Sequence, residues 1–360
     1  MKNESVTQTR SPEGAAGGAP SLSGQGNAAP AESAVQRVLI TGGSGFIGMH
    51  LTSLLREHGY DVLNVDVKAP AETSLALLWR DCSILDVGKL EAAFAEFQPQ
   101  AVVHLAANAA VSARSLDDYR CNTEGTANVL EACRKTPSVK RVIVTSTQHV
   151  RRPGSEKTES DSDYKPYMHY GESKVITEQL TRDADLPCIW TIIRPTTIWG
   201  PWHMSLAEGF WRLLVEGKYF HPAEDKVYRS YGYVKNTAWQ IEQLLKAAPD
   251  AIHGHVFYVA DGNIQQQEWV EAFAQRLTGH KVRKVPLFVI HGLALAGDVL
   301  RKVGINFPMF STRYRNLVTS NPVPIEPTLQ LLGTPPYTLE QGVDDTAKWL
   351  EHHRNGHGRA

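Results

Sequence analysis

Tyr170-Gly171-Glu172-Ser173-Lys174 sets a phenol and an ammonium four residues apart. On a helix that spacing brings both side chains to one face, a single turn apart. A phenol ionises near pH ~10 in water, and a neighbouring cation favours the phenolate. The pair therefore offers an acid/base for a hydroxyl or carbonyl oxygen near neutral pH. Taken alone, Tyr-x-x-x-Lys equally describes a half-buried tyrosine beside a solvated lysine. Thr147 lies upstream, at the end of an apolar run that reads as a strand, and its hydroxyl is placed to bind the same oxygen.

A second element binds rather than reacts. Val38-Leu39-Ile40-Thr41 reads as a buried strand and runs into Gly42-Gly-Ser44-Gly45-Phe46-Ile47-Gly48 before an amphipathic segment (Met49, Leu51, Leu54, Leu55). Gly42 permits a tight turn, Gly45 lets backbone approach a pyrophosphate, and Gly48 lets the helix lie close on the strand. The helix N-terminus then presents free N–H groups and a positive dipole end to phosphate. The strand before and the helix after supply the context that a bare glycine pattern lacks. The next strand, Val62-Leu63-Asn64-Val65, ends at Asp66. An acid there accepts from the adenosine ribose hydroxyls and repels a 2′-phosphate, which favours NAD over NADP; Lys68 softens that preference.

These groups must be carried by alternating elements. An amphipathic helix (Leu90, Ala93, Phe94, Phe97) precedes the buried strand 101–107, which ends in Leu105-Ala106-Ala107. Small residues at a strand's C-terminal end leave room for a ligand, where open α/β sheets bind theirs. A long helix is predicted over 115–135, then strand 141–145, a polar loop over 151–165, a helix opening near Tyr167, and strand 189–193. Such alternation predicts an α/β fold with a doubly wound parallel sheet. Beyond about residue 200 the regularity drops, which predicts a smaller C-terminal substrate-binding region.

The 360 residues carry 42% hydrophobic and 21% charged residues and a net charge of −1, a balance that gives nucleic acid no electrostatic footprint. Cys82, Cys121, Cys133 and Cys188 form no C-x-x-C and read as reduced thiols of a cytoplasmic protein. Residues 1–34 are rich in Gly, Ala, Ser and Pro and read as a disordered extension without a signal-peptide core. The longest apolar stretch, 287–296, is too short to span a bilayer and contains His and Gly, so no transmembrane segment is predicted. It reads as a buried helix, with peripheral membrane contact as the alternative.

In order along the chain, Thr41-Gly-Gly-Ser-Gly-Phe-Ile-Gly48, His104-Leu-Ala-Ala107, Asn122-x-x-Gly-Thr126, Ser146-Thr147, Tyr170-x-x-x-Lys174 and Arg194-Pro195 resemble the extended short-chain dehydrogenase/reductases, in particular their NAD-dependent nucleotide-sugar epimerase/dehydratase branch. The resemblance spans residue 36 to about 350. It implies a Rossmann-type NAD domain over 35–195, a mainly substrate-binding region over 196–350 from which some segments return to the first domain, and a tail over 351–360. It also implies NAD as cofactor, a nucleotide-diphosphate sugar as substrate, and a homodimer built on the helices around 90–97 and 115–135. Gly42, Ser44, Gly45, Phe46, Ile47 and Gly48 would wrap the pyrophosphate and Asp66 the adenosine ribose. Ser83 and Ile84 stand at the adenine position, although Asp81 is two residues away. Leu105, Ala106, Ala107, Asn122 and Thr196 would line the cofactor. Lys174 would bind the nicotinamide ribose while tuning Tyr170, and Thr147, Tyr170 and Lys174 would be catalytic. Arg229, in a segment that resembles the family's diphosphate-contacting stretch, is the phosphate candidate.

The departures narrow the chemistry. Dehydratases of this family carry Asp-Glu after the catalytic Thr; here stand Gln148 and His149, so 4,6-dehydration is not expected. Many sugar epimerases have Asn where Thr197 stands. The aromatic run Trp199 to His203, with Phe210 and Trp211, suits either stacking on a base or sugar, or a core. His352, His353 and His357 read as a solvated tail rather than a metal site. The expected activity is epimerisation of a nucleotide sugar at C4 through a keto intermediate. A 4-keto-6-deoxy-sugar reductase, a dehydrogenase of non-sugar alcohols and a non-catalytic cofactor-binding protein are the alternatives.

Overall fold

Val38, Leu39 and Ile40 are all fully buried, although successive side chains of a strand face opposite ways. Strand β1 (Arg37–Thr41) therefore has cover on both faces, as parallel sheets require. The computed structural model describes residues 35–111, 113–155, 160–223, 226–305, 307 and 309–357; the extension expected over 1–34 lies outside them.

Around β1 run β2 (Asp61–Asp66), β3 (Trp79–Asp81), β4 (Ala101–His104), β5 (Arg141–Thr145) and β6 (Ile189–Pro195). After β7 (Thr197–Trp199), β8 (Phe220–Pro222) and β9 (Tyr228–Tyr233), the chain returns with β10 (Val256–Val259) to complete a seven-stranded sheet, order β10-β6-β5-β4-β1-β2-β3. Every pairing in it is parallel. Because β1 lies between β2 and β4, the connections leave it in opposite directions, which opens a crevice at the strands' C-terminal ends.

Alternation along the strands sorts the core. Leu39, Val65, Val102, Val142 and Val144 meet α2 (Val87–Phe97) and α3 (Arg120–Lys135) through Leu90, Phe94, Val129 and Leu130. Val38, Ile40, Val62, Val103 and Ile143 meet α1 (Phe46–Glu57) and the helix Val234–Lys246 through Leu51, Leu55, Ile241 and Leu244. Each such aliphatic side chain contributes about 1.5–3 kcal/mol when taken from water. Helix α4 (His169–Asp183) carries Tyr170 and Lys174.

The smaller region holds β7, β9 and β11 (Gly262–Gln265) in a three-stranded sheet, and β12 (Arg283–Val285) beside β8. Trp199 and Trp211 are each 1% exposed and pack with Phe210, Tyr231, Tyr233, Trp269 and Phe273. Trp199 and Trp211 of the aromatic run are therefore core, whereas His203 lines the cavity in the crevice. The helix Leu287–Lys302 is not the buried helix expected: Phe288, Leu295 and Val299 are exposed, and only Ile290, Ala294 and Gly297 are buried. Among the described residues no helix is long and apolar enough to cross a membrane. The final helix runs Leu339–His357, through most of the stretch expected as a tail.

Candidate active site

The turn after β1 is shaped by what its glycines exclude. Gly42 has φ +75°, and a Cβ there would stand 2.6 Å from Ala106 N; one on Gly48 would stand 2.2 Å from Gly42 O. The strand end, the turn and α1 thus lie closer than any side chain permits. Gly45 caps α1 without a side-chain bond, and the first turn holds no acid. Its N–H groups and dipole face the crevice, an arrangement that fits a dinucleotide pyrophosphate. Asn64 Nδ2 donates to Ser44 Oγ at 2.9 Å and Asp66 accepts from Ser44 N at 3.1 Å, so the end of β2 braces the turn. The other Asp66 oxygen accepts from Lys68 N at 3.0 Å.

The crevice is a cavity of about 560 Å³, lined by Gly42, Gly45, Phe46, Ile47, Gly48, Leu105, Ala107, Thr147, Gln148, His149, Tyr170, Lys174, Thr196 and Thr197 among others. The turn predicted to bind and the residues predicted to react are therefore in one space. Ser44, Asp66, Ser83, Ile84, Ala106, Asn122 and Arg229 do not line it. Ile84 packs against Gly125, where an added Cβ would approach to 2.5 Å, and Ser83 Oγ accepts from Leu85 N. Asn122 is fully buried and spent internally: it accepts from Asn108 N at 2.7 Å and donates to Asn108 O at 3.0 Å and to Ser173 Oγ at 2.9 Å. It ties the loop after β4 to α4, which positions the cavity wall.

Thr147 lies two residues beyond β5 and caps the short turn Gln148–Val150, accepting from His149 N at 3.3 Å. It lines the same cavity as Tyr170. Burial pushes the Tyr170 phenol up to about 12, with Thr147 acting in the lowering direction. Lys174 is 1% exposed, donates to Thr145 O at 2.8 Å, and is lowered to about 8 by burial. Desolvation of the phenolate therefore dominates at Tyr170, and the Lys174 ammonium is held on a backbone carbonyl. Gly171 allows α4 to lie on this turn, since a Cβ there would meet His149 O at 2.4 Å.

On the substrate side Gln148 is buried, accepts from Asn321 Nδ2 at 3.1 Å, and reaches Thr197 Oγ1 at 3.5 Å. His149 Nδ1 pairs with Tyr167 Oη at 2.9 Å, and its imidazole is lowered by burial and then by the charge of Arg229. Among the described residues, no Asp or Glu lines the cavity. Arg229 holds Thr319 O at 3.4 Å, and its Nε is buried without a hydrogen-bond partner in the structure.

Two supports escaped the sequence. Glu178 and Arg194 form a buried pair, Nε–Oε1 2.8 Å and Nη2–Oε2 2.8 Å, that ties α4 to the end of β6. Tyr164 Oη and Ser146 Oγ donate to the same carboxylate. The one signal was Glu178 one helical turn past Lys174. His104, between Thr41 at 2.7 Å and Thr126 at 3.0 Å, is lowered to about 3 by burial and so stays neutral.

The chain is similar to proteins of known chemistry. It is 27% identical to an N-acetyl-alpha-D-glucosaminyl-diphospho-ditrans,octacis-undecaprenol 4-epimerase of Escherichia coli O157:H7, over 87% of this chain and 94% of that one. It is 26% identical to a decarboxylating sterol-4-alpha-carboxylate 3-dehydrogenase of Schizosaccharomyces pombe, over 86% and 96%. Its fold is that of the UDP-glucose 4-epimerase of Thermotoga maritima, with a TM-score of 0.68 and 22% identity, covering 89% of this chain and all of that one. Residues 38–260 match the NAD dependent epimerase/dehydratase family, and the chain is an NAD-dependent enzyme belonging to that family.

Proposed function

We propose that the protein inverts C4 of a nucleoside-diphosphate hexose through a 4-keto intermediate. The observation that carries this reading is the single cavity that Thr147, Tyr170 and Lys174 share with the Gly42–Gly48 turn. When bound, NAD supplies the reversible two-electron oxidation of the carbinol carbon, and its cationic ring adds positive charge to that of Lys174. Tyr170 takes the proton of the C4 hydroxyl and later returns it to the same oxygen, while the Thr147 hydroxyl holds that oxygen in place. Lys174, cationic below about pH 8, favours the phenolate that burial disfavours.

Gln148 and His149 stand where a dehydratase needs carboxyl groups. An amide and a neutral imidazole support oxidation and re-reduction without loss of water. Arg229 lies outside the cavity lining, and its assignment to the diphosphate rests on the family resemblance and on its buried, unpartnered Nε. A UDP-glucose 4-epimerase among the relatives supports the nucleoside-diphosphate class, and the undecaprenol-diphosphate sugar 4-epimerase supports inversion at C4 of a sugar diphosphate. The sterol dehydrogenase, at nearly the same identity, supports a second reading in which the carbinol belongs to a non-sugar alcohol.

The test is a proton NMR time course with UDP-, GDP- and dTDP-hexoses and their 4-keto-6-deoxy derivatives, with and without NADH or NADPH. Inversion without added reductant is expected. Turnover of keto sugars alone, and only with reductant, would make the enzyme a reductase. Inertness toward the whole panel would transfer the proposal to non-sugar alcohols.

A further inference from the structure

The helix Leu287–Lys302 turns its small residues inward and its large ones out. Ala294 and Gly297 are buried with Ile290, and a Cβ on Gly297 would stand 1.8 Å from Met309 O, so the helix lies directly on the chain that follows it. Outward, Phe288 is 77% exposed, Leu295 52%, Val299 63% and Val303 68%. At about 100° per residue these four fall on one stripe with Gly292 and Ala296, and no charged residue interrupts it.

The sequence on either side of the stripe is basic. Between residues 281 and 315 the chain carries Lys281, Arg283, Lys284, Arg301, Lys302, Arg313 and Arg315 against a single acid, Asp298, although the whole protein is at −1. Asp298 is engaged by Ser311, through its backbone N–H at 3.1 Å and its hydroxyl. Lys302 is exposed beside the C-terminal end of the stripe, while Arg301, exposed as well, leaves the helix on the other side with its guanidinium 4.1 Å over the Phe310 ring.

We propose that this face docks on an anionic lipid surface. A stripe of large apolar side chains flanked by arginine and lysine is the pattern that seats a helix in the plane of the interface, with its apolar side among acyl chains and its cations among headgroup phosphates. A second copy fits less well, because a two-fold contact across the stripe would set one basic cluster against its twin. The chain leaving the face runs through the helix Ser311–Val318 into Thr319 and Asn321, which contact Arg229 and Gln148. The proposed docking face is thus joined along the chain to the segment that contacts Arg229 and Gln148.

The experiment is co-sedimentation of the full chain with vesicles of phosphatidylcholine alone and with roughly one-third phosphatidylglycerol, at low and high salt. Pelleting with the anionic vesicles, at least about tenfold weaker without phosphatidylglycerol and reduced by salt, is expected. Leu295→Ser with Val299→Ser, and separately Arg301→Glu with Lys302→Glu, should each weaken it about tenfold or more, with circular dichroism and NAD binding retained. The proposal is overturned if the protein ignores anionic vesicles or if both double variants pellet like the wild type. It is equally overturned if sedimentation velocity without lipid reveals a dimer that the Leu295→Ser, Val299→Ser pair abolishes.

Discussion

Lys174 donates to Thr145 O at 2.8 Å, a bond between α4 and the end of the strand that delivers Thr147 two residues later. The ammonium thus sets the spacing between the two elements that hold Tyr170 and Thr147. It also titrates within reach of working pH, lowered to about 8 from an ordinary value of 10.5. Once the lysine is neutral its help to the phenolate is lost, so kcat should fall above pH ~8 by up to about tenfold per unit. A pH profile of kcat checks this. Lys174→Arg, always cationic, should be slow but lack that fall.

His104 makes the fold acid-sensitive. Its folded value of about 3 lies below the ordinary 6.5, so the unfolded chain takes up the proton first. Stability is then lost as pH falls from about 6.5 toward about 3, by a few kcal/mol at most. His50, lowered to about 4 by burial, acts in the same direction. Urea unfolding between pH 7 and 4 should show this slope, and His104→Gln should reduce it without abolishing it.

Glu178→Gln leaves the Arg194 guanidinium buried beside a neutral amide. The expected loss is about 3–5 kcal/mol, read as a lower urea midpoint with an unchanged slope. A variant as stable as the wild type would deny the pair its role in holding α4 on β6.

Gly171→Ala inserts a methyl where 2.4 Å separates it from His149 O. The helix must retreat from the turn that presents Thr147, so kcat should fall at least about tenfold, since small misplacements of reacting groups are costly. Comparison with NAD affinity checks the assignment, because the Gly42–Gly48 turn belongs to β1 and α1 rather than to α4.

The sequence made most of the sheet and the reacting groups legible. The run 38–48 joins a two-sided apolar strand to glycines that only a close turn needs, and Tyr170 and Lys174 share a face by spacing alone. What stayed hidden depends on distance through space. Glu178 meets Arg194 from another element, and nothing local marks either as paired. The phenol's shift follows from burial, which residue types do not encode. Trp199 and Trp211 suited a base as well as a core until Trp269 and Phe273 were placed against them. In 287–302 the run is apolar nearly all round, so periodicity carried no face; Ala294 and Gly297 allow close packing and turn inward, leaving Phe288 and Val299 outside.

The central claim is oxidation and re-reduction at C4 by Tyr170 and Thr147. It is tested most directly by proton NMR of UDP-hexoses in D2O without added reductant, for the wild type and Tyr170→Phe. The C4 hydrogen leaves and returns without meeting water, so the epimer should keep its C4 proton, and Tyr170→Phe should slow inversion by about 10²–10⁴-fold. Deuterium at C4, or a Tyr170→Phe variant as fast as the wild type, would contradict the account.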